Sequence, residues 1–207
     1  MRISWRLFGL LALVAALSAP ALPLLAASEL MPPVSSTITS PATSPPAVAA
    51  SAPVAQRPAW HALSLTDART GQVFTLADFA GKTVYVEPMA TWCTNCRNQM
   101  SVIRDQVRGQ VDPDTVVFVG LSVETNLASE TLASYSTTHG FDWTFAVMTP
   151  EMLSELASTF GRTVTNPPAV PHFLIGPDGT TSDLSTGHHS ADQLLQRLAS
   201  AGATAQP

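Results

Sequence analysis

The chain has two cysteines in 207 residues, and they lie three apart in Trp92-Cys93-Thr94-Asn95-Cys96. Met100, Ile103 and Val107 continue the series at helical spacing, so both sulfurs belong to one face of a helix. Cys93 then sits at the helix N-terminus, among backbone N–H groups without intrahelical partners and at the positive end of the dipole. A thiolate is stabilised there, and its pKa falls below the ~8.5 of a free cysteine. Cys96, one turn further on the apolar side, is discouraged from ionising. That asymmetry suits thiol–disulfide exchange: Cys93 attacks a substrate disulfide and Cys96 resolves the mixed disulfide. Three plainer uses compete. A zinc site would need two more ligands, and only scattered histidines could supply them. A purely structural disulfide at this spacing closes too small a loop to add much stability. Two inert buried thiols are the third.

The pair must be held by a strand-to-helix junction. Residues 82–87 contain Thr83-Val84-Tyr85-Val86, a β-branched and aromatic run suited to a buried strand, directly before the cysteines. Gly109 follows the helix as a stop, with Arg104 and Arg108 in its last turn. Further strands are expected over 60–66, 116–121, 143–148, 172–176 and 180–184, and a helix from about 126 to 139. Thr149-Pro150-Glu151 starts a helix that Gly161 ends, and Ser190 with Gln193 forms a capping box before Leu194, Leu195 and Leu198. Strands alternating with helices predict an α/β fold, its mixed sheet covered on both faces, with a hairpin near the C-terminus around Pro177-Asp178-Gly179.

The two ends differ from this domain. Arg2 and Arg6 precede an uncharged run from Leu7 to Ala27, with Ala19-Pro20-Ala21 inside it. This is the pattern of a signal peptide, and its length also suits an N-terminal membrane anchor, so both readings of 1–27 stay open. Residues 28–59 hold seven of the 17 prolines and show no apolar periodicity, as expected of a disordered linker. The domain then spans 60–201, with a flexible tail at 202–207. Net charge is −5, and Lys82 is the single lysine among ten basic residues, which excludes a phosphate-gripping nucleic-acid binder. With export expected, the chain is placed in the periplasm or cell envelope, soluble after cleavage or attached to the inner membrane.

The segment Met89-Ala90-Thr91-Trp92-Cys93-Thr94-Asn95-Cys96-Arg97 resembles the active-site stretch of thioredoxin-fold proteins, and within them the exported TlpA/ResA/DsbE type. Leu76-Ala77-Asp78-Phe79-Ala80-Gly81-Lys82 is similar to that family's lead-in, about 126–148 resembles its α–β insertion, and Ala169-Val170-Pro171-His172-Phe173-Leu174-Ile175 its cis-proline loop. The resemblance covers about 60–200. It implies a thioredoxin-like fold and a dithiol–disulfide oxidoreductase, most readily a reductant. Its partners would be protein thiols and disulfides, with cytochrome c maturation as one setting, and a membrane electron donor. It implies no cofactor beyond the redox-active disulfide, and no metal.

The resemblance also assigns residues. Val170 and Pro171 are expected beside the cysteines, with Val170 offering backbone hydrogen bonds to a bound polypeptide. Trp92 is expected to shield the disulfide, while Thr94 and Asn95 tune its potential. Glu87 is a candidate for proton exchange with Cys96, because a desolvated carboxylate has a raised pKa; a strand-end glutamate reaching solvent is the alternative. Pro88 departs from the pattern and is expected to bulge or end the strand. His172 is expected to pack within a strand, with a place near the thiols as the alternative, and His188-His189 to be solvated. Arg97 is read equally as a thiolate partner or as a surface residue. A Sco-like copper-binding module is the rival function, although Sco proteins space their cysteines one residue wider. Pro88 and Thr91 stand at the wrong offsets for a peroxiredoxin.

Overall fold

The computed structural model describes residues 57–206. The expected signal or anchor at 1–27, and the linker up to residue 56, lie outside the described residues. Among the described residues no helix is long and apolar enough to cross a membrane.

The domain opens with a 3-10 turn over Ala59–Ala62 where the sequence suggests strand. In a strand, Trp60 and His61 would face opposite sides; the turn buries both. Strand character is left to β1 (Leu65–Thr66), which pairs antiparallel with β2 (Val73–Phe74). The Asp67 carboxylate accepts the N–H groups of Arg69 and Thr70 to close the hairpin, with Gly71 in the left-handed region at φ 71°.

The main sheet contains β3 (Thr83–Met89), β4 (Val116–Ser122), β5 (Thr144–Val147) and β6 (Phe173–Ile175), in the order β5-β4-β3-β6. β3, β4 and β5 are parallel, and β6 runs antiparallel to β3. Every residue of β3 is buried, as in a central strand covered on both faces. It runs straight through Pro88, which stays in register with Leu121. The expected interruption falls instead on the other side of the strand. Pairing with β6 stops at Val86–Phe173, and two steps further the same register would set Pro88 against Pro171. Neither proline carries an N–H, so no ladder can form there.

Helices α1 (Thr94–Val102), α2 (Ser129–Thr138) and α4 (Ala191–Ser200) contribute to one face, and α3 (Pro150–Phe160) covers the other. α1 loosens into a π turn at Ile103–Val107, yet Met100, Ile103 and Val107 all remain inside. α2 begins later than about 126 because the Leu127 N–H closes a tight turn onto the Glu124 carbonyl. Thr149 caps α3 by accepting the Met152 N–H at 3.1 Å, and the Ser190–Gln193 capping box forms at α4.

One C-terminal expectation is corrected. The strand over 180–184 survives only as isolated pairings of His172 with Ser185 and Ile175 with Thr181. The Ser182 hydroxyl takes the Leu174 N–H at 3.0 Å, so a side chain does the work of a ladder bond. Hydrogen bonds extend as far as Gln206: the Asp112 N–H donates to the Thr204 carbonyl and the Gln206 N–H to the Gln110 carbonyl.

One row across the sheet matters for the site. Glu87 pairs with Gly120, which pairs with Phe145, while His172, one residue before the last β3–β6 pair, bridges to Ser185. A Cβ at Gly120 would collide with the Phe145 ring, so this glycine is needed for a close approach.

Candidate active site

Cys93 caps α1. Its Sγ accepts the Cys96 N–H at 3.1 Å, its N–H donates to the Ala90 carbonyl at 3.0 Å, and its carbonyl accepts the Arg97 N–H at 3.1 Å. The two cysteines form a disulfide with their Cα atoms 5.4 Å apart. Cys96 is fully enclosed and Cys93 is 2 % exposed, whereas Trp92 is 61 % exposed. Trp92 therefore presents most of its surface to solvent, at the rim of the space beside Cys93. A cavity of about 160 Å³ opens beside Cys93, lined by Trp92, Thr94, Asn95 and Pro168. Arg97 donates to the Thr94 hydroxyl at 3.3 Å, which places it on the helix surface.

The loop that faces the disulfide is the 3-10 turn Pro167–Ala169. Asn95 Nδ2 donates to the Pro168 carbonyl at 3.0 Å, and Cys96 Sγ lies 3.2 Å from the Pro167 carbonyl, which can accept the S–H of the reduced thiol. Val170 and Pro171 lie just behind and are buried. Val170 adopts φ 49°, a strained setting for a β-branched residue. Its N–H is engaged by the Pro167 carbonyl at 2.8 Å and its carbonyl by His172 Nδ1 at 3.1 Å. The polar atoms that face the cysteine helix thus come from Pro167 and Pro168, two residues that no local pattern singles out.

A second carboxylate shapes the junction. Glu124, just beyond β4, accepts the Thr91 N–H at 2.6 Å and the Thr91 hydroxyl at 3.0 Å. It fixes the bend that delivers Trp92 and Cys93, and sequence reasoning did not find it because its partner is 33 positions away.

A buried polar cluster lies on the same face of the sheet as the disulfide. Glu87 is 1 % exposed and shares the face of Tyr85 and Met89, which pack in the same core as both cysteines. Its Oε2 accepts the Tyr85 hydroxyl at 3.1 Å, while Oε1 has no partner. Burial pushes its carboxyl up to about 8, against the opposing pull of the Tyr85 hydrogen bond. The same burial raises the Tyr85 phenol. His172 stacks on Tyr85 with ring centroids 5.5 Å apart and is pushed down to about 4, chiefly by burial. Because its Nδ1 faces a carbonyl, Nδ1 carries the proton and Nε2 is left as a bare, unpartnered base. His188 is exposed, but His189 turns inward, edge-on to His172 at 4.6 Å. Gln99, one turn past Cys96, holds that loop: its Oε1 accepts the His189 N–H at 2.7 Å and its Nε2 donates to the His189 carbonyl at 3.2 Å. Among the described residues no three His, Cys, Asp or Glu side chains converge as a metal would require.

No protein-family model matches the chain, and no curated protein matches it. Solved structures do. A protein of Aquifex aeolicus VF5 described as a candidate for electron transport superposes with a TM-score of 0.60 at 18 % identity, over 70 % of this chain and 96 % of that one. A thiol:disulfide interchange protein of the thioredoxin family from Chlorobium tepidum TLS gives 0.52 at 23 %, over 67 % and 92 %. BsSco, a member of the Sco family of cytochrome c oxidase assembly proteins, gives 0.51 at 17 %, over 67 % and 90 %. The fold is thioredoxin-like. Its structural neighbours are thioredoxin-like thiol:disulfide oxidoreductases and Sco proteins, and in this thioredoxin-like chain a Cys-x-x-Cys pair stands at the strand-to-helix junction.

Proposed function

We propose that this chain is an exported thiol–disulfide oxidoreductase that reduces protein disulfides with Cys93 as nucleophile and Cys96 as resolving thiol. The observation that carries this reading is the placement of the pair. Cys93 Sγ receives a backbone N–H at the head of α1 and borders an open cavity, while Cys96 is sealed behind it. A thiolate is favoured at the first position and disfavoured at the second. The exposed Trp92 and the cavity beside it offer an extended client a place to rest. Glu87 sits on the cysteine side of β3, and its raised carboxyl makes it the candidate for proton exchange with Cys96.

Export rests on Arg2, Arg6 and the apolar run that follows them, and it sets the periplasm or cell envelope as the working compartment. By resemblance, cytochrome c maturation is one setting for the reductant and a membrane protein its electron source; the disulfide itself is the redox group. Cleavage of insulin disulfides tests the core of the proposal. Cys93→Ser is expected to abolish turnover, and Cys96→Ser to leave client protein covalently held on Cys93. A midpoint potential well above about −200 mV in a glutathione titration would make the protein an oxidant instead.

Copper handling is the second reading, supported by the likeness to BsSco and by the bare, buried Nε2 of His172. The two-residue spacing of the cysteines weighs against it. Stoichiometric tight copper binding without disulfide exchange would reverse the order of the two.

A further inference from the structure

The backbone of the loop that faces the disulfide is heavily committed to the protein itself. Pro167, Pro168 and Pro171 have no N–H. The other three N–H groups over 167–172 are engaged: Ala169 donates to the Asn166 carbonyl at 3.0 Å, Val170 to the Pro167 carbonyl at 2.8 Å, and His172 to the Ser185 carbonyl at 2.9 Å. The Pro168 carbonyl accepts Asn95 Nδ2, the Ala169 carbonyl accepts the Gly187 N–H at 2.8 Å, and the Val170 carbonyl accepts His172 Nδ1. Val170 is buried as well. A client strand laid along this loop would have to break one of these bonds before making its own, and such an exchange returns little.

What the site leaves open is apolar. Trp92 and Pro168 are both exposed, and both line the cavity beside Cys93. Its volume of about 160 Å³ is of the size that holds one benzene-like group, ~150 Å³. Apart from the reactive sulfur, its lining side chains are neutral: Trp92, Thr94, Asn95 and Pro168. The charged groups that touch this stretch are already engaged, Arg97 by the Thr94 hydroxyl and Glu124 by Thr91.

We propose that the chain selects clients by an apolar side chain next to the client's cysteine, seated against Trp92 and Pro168, and lends the client no backbone N–H from residues 167–172. The proposal deepens the dithiol reading given above and rests on it. The Cys93 thiolate attacks one sulfur of the client disulfide. A Cys93–client S–S bond forms as the client's own S–S bond breaks, and the departing sulfur leaves with the electron pair as a thiolate that solvent protonates. The new bond pins the client cysteine at Cys93. The Cα of the adjacent client residue lies about 3.8 Å from that of the cysteine, which brings its side chain within reach of the cavity. An apolar group there covers indole and pyrrolidine surface that is otherwise wet, a gain that grows with the area covered. A charged group would lose water and meet no counter-charge in the lining.

The test follows the reduction of peptide disulfides by the reduced full chain. The residue beside the peptide's cysteine is Leu, Phe, Ala, Asp or Lys, and each rate is divided by that of the same peptide with dithiothreitol. Leu and Phe peptides are expected to react about tenfold faster or more than the others, the worth of burying one such side chain. In Trp92→Ala this preference should shrink to about twofold or less. Replacing the two amide N–H groups around the peptide's cysteine by ester oxygens should change the Leu rate by less than about twofold. Rates that ignore the flanking residue, a preference that survives Trp92→Ala, or an ester peptide slowed about tenfold would each overturn the proposal. The peptide series on the unaltered protein is decisive without any variant. Failure of that protein to reduce even hydroxyethyl disulfide, which has no side chain to seat, would instead sink the dithiol reading.

Discussion

The two faces of the central sheet are sealed in different ways. On the α3 side, Val84, Val86, Val119, Leu121 and Phe173 meet Met152, Leu156 and Trp60, and the buried His61 there bonds through Nε2 to the Thr181 hydroxyl at 3.1 Å. Its one unpartnered buried polar atom among the described residues is the Trp60 indole nitrogen. On the α1 side, the same strand turns Tyr85, Glu87 and Met89 towards the cysteines, and among the described residues four buried side-chain polar atoms are left without partners. Each such group costs about 1–3 kcal/mol of desolvation. One face is therefore organised for cohesion, and the other gives up stability to keep titratable groups dry beside a disulfide.

The largest expected effect cuts into the cohesive face. Phe173→Ala should lower unfolding free energy by about 3–5 kcal/mol in urea while leaving the midpoint potential of the disulfide unchanged. A potential that moved with it would show that the faces are coupled. The next effect is a pH profile. Glu87 titrates near 8 when folded and near 4.5 otherwise, so between those values the folded state holds a proton that the unfolded state has released, and stability falls as pH rises. His61 and His172 titrate near 4 when folded against 6.5 otherwise, so stability rises as pH climbs through that window. Stability should peak near pH 6.5 and lose about 2 kcal/mol by pH 8. Urea melts of Glu87→Gln should lack the alkaline decline and keep the acidic one.

Smaller changes sharpen the contrast. Tyr135→Phe removes an unpartnered hydroxyl and should stabilise the protein or leave it neutral, within about 1 kcal/mol, by thermal melting. Trp92→Ala should change stability by no more than about 0.5 kcal/mol, because the ring is mostly exposed, yet weaken client capture by the Cys96→Ser trap.

The sequence made the chemistry legible where it is local. Cys93 and Cys96 announce themselves by spacing, the strand before them by its β-branched run, and α3 and α4 by their caps. What stayed hidden joins residues far apart in the chain. Glu124 reaches Thr91, Gln99 reaches His189, and Asn95 reaches Pro168. Each of these residues reads as an ordinary solvated side chain until the fold closes. Gln99 in particular follows Cys96 by one turn on the buried side, a polar intrusion that an apolar-periodicity count passes over. His189 reads, like His188, as solvated because adjacent histidines look alike in sequence, although only one of them turns inward.

Gly120 carries a last consequence. Because position 120 lacks a methyl group, the Phe145 ring can lean over it towards the neighbouring strand and stand as an oily wall next to the acid at 87. The dryness around that carboxyl thus depends on a residue that has no chemistry of its own, and Gly120→Ala is expected to push the ring aside and bring the Glu87 titration back towards the ordinary carboxylate range.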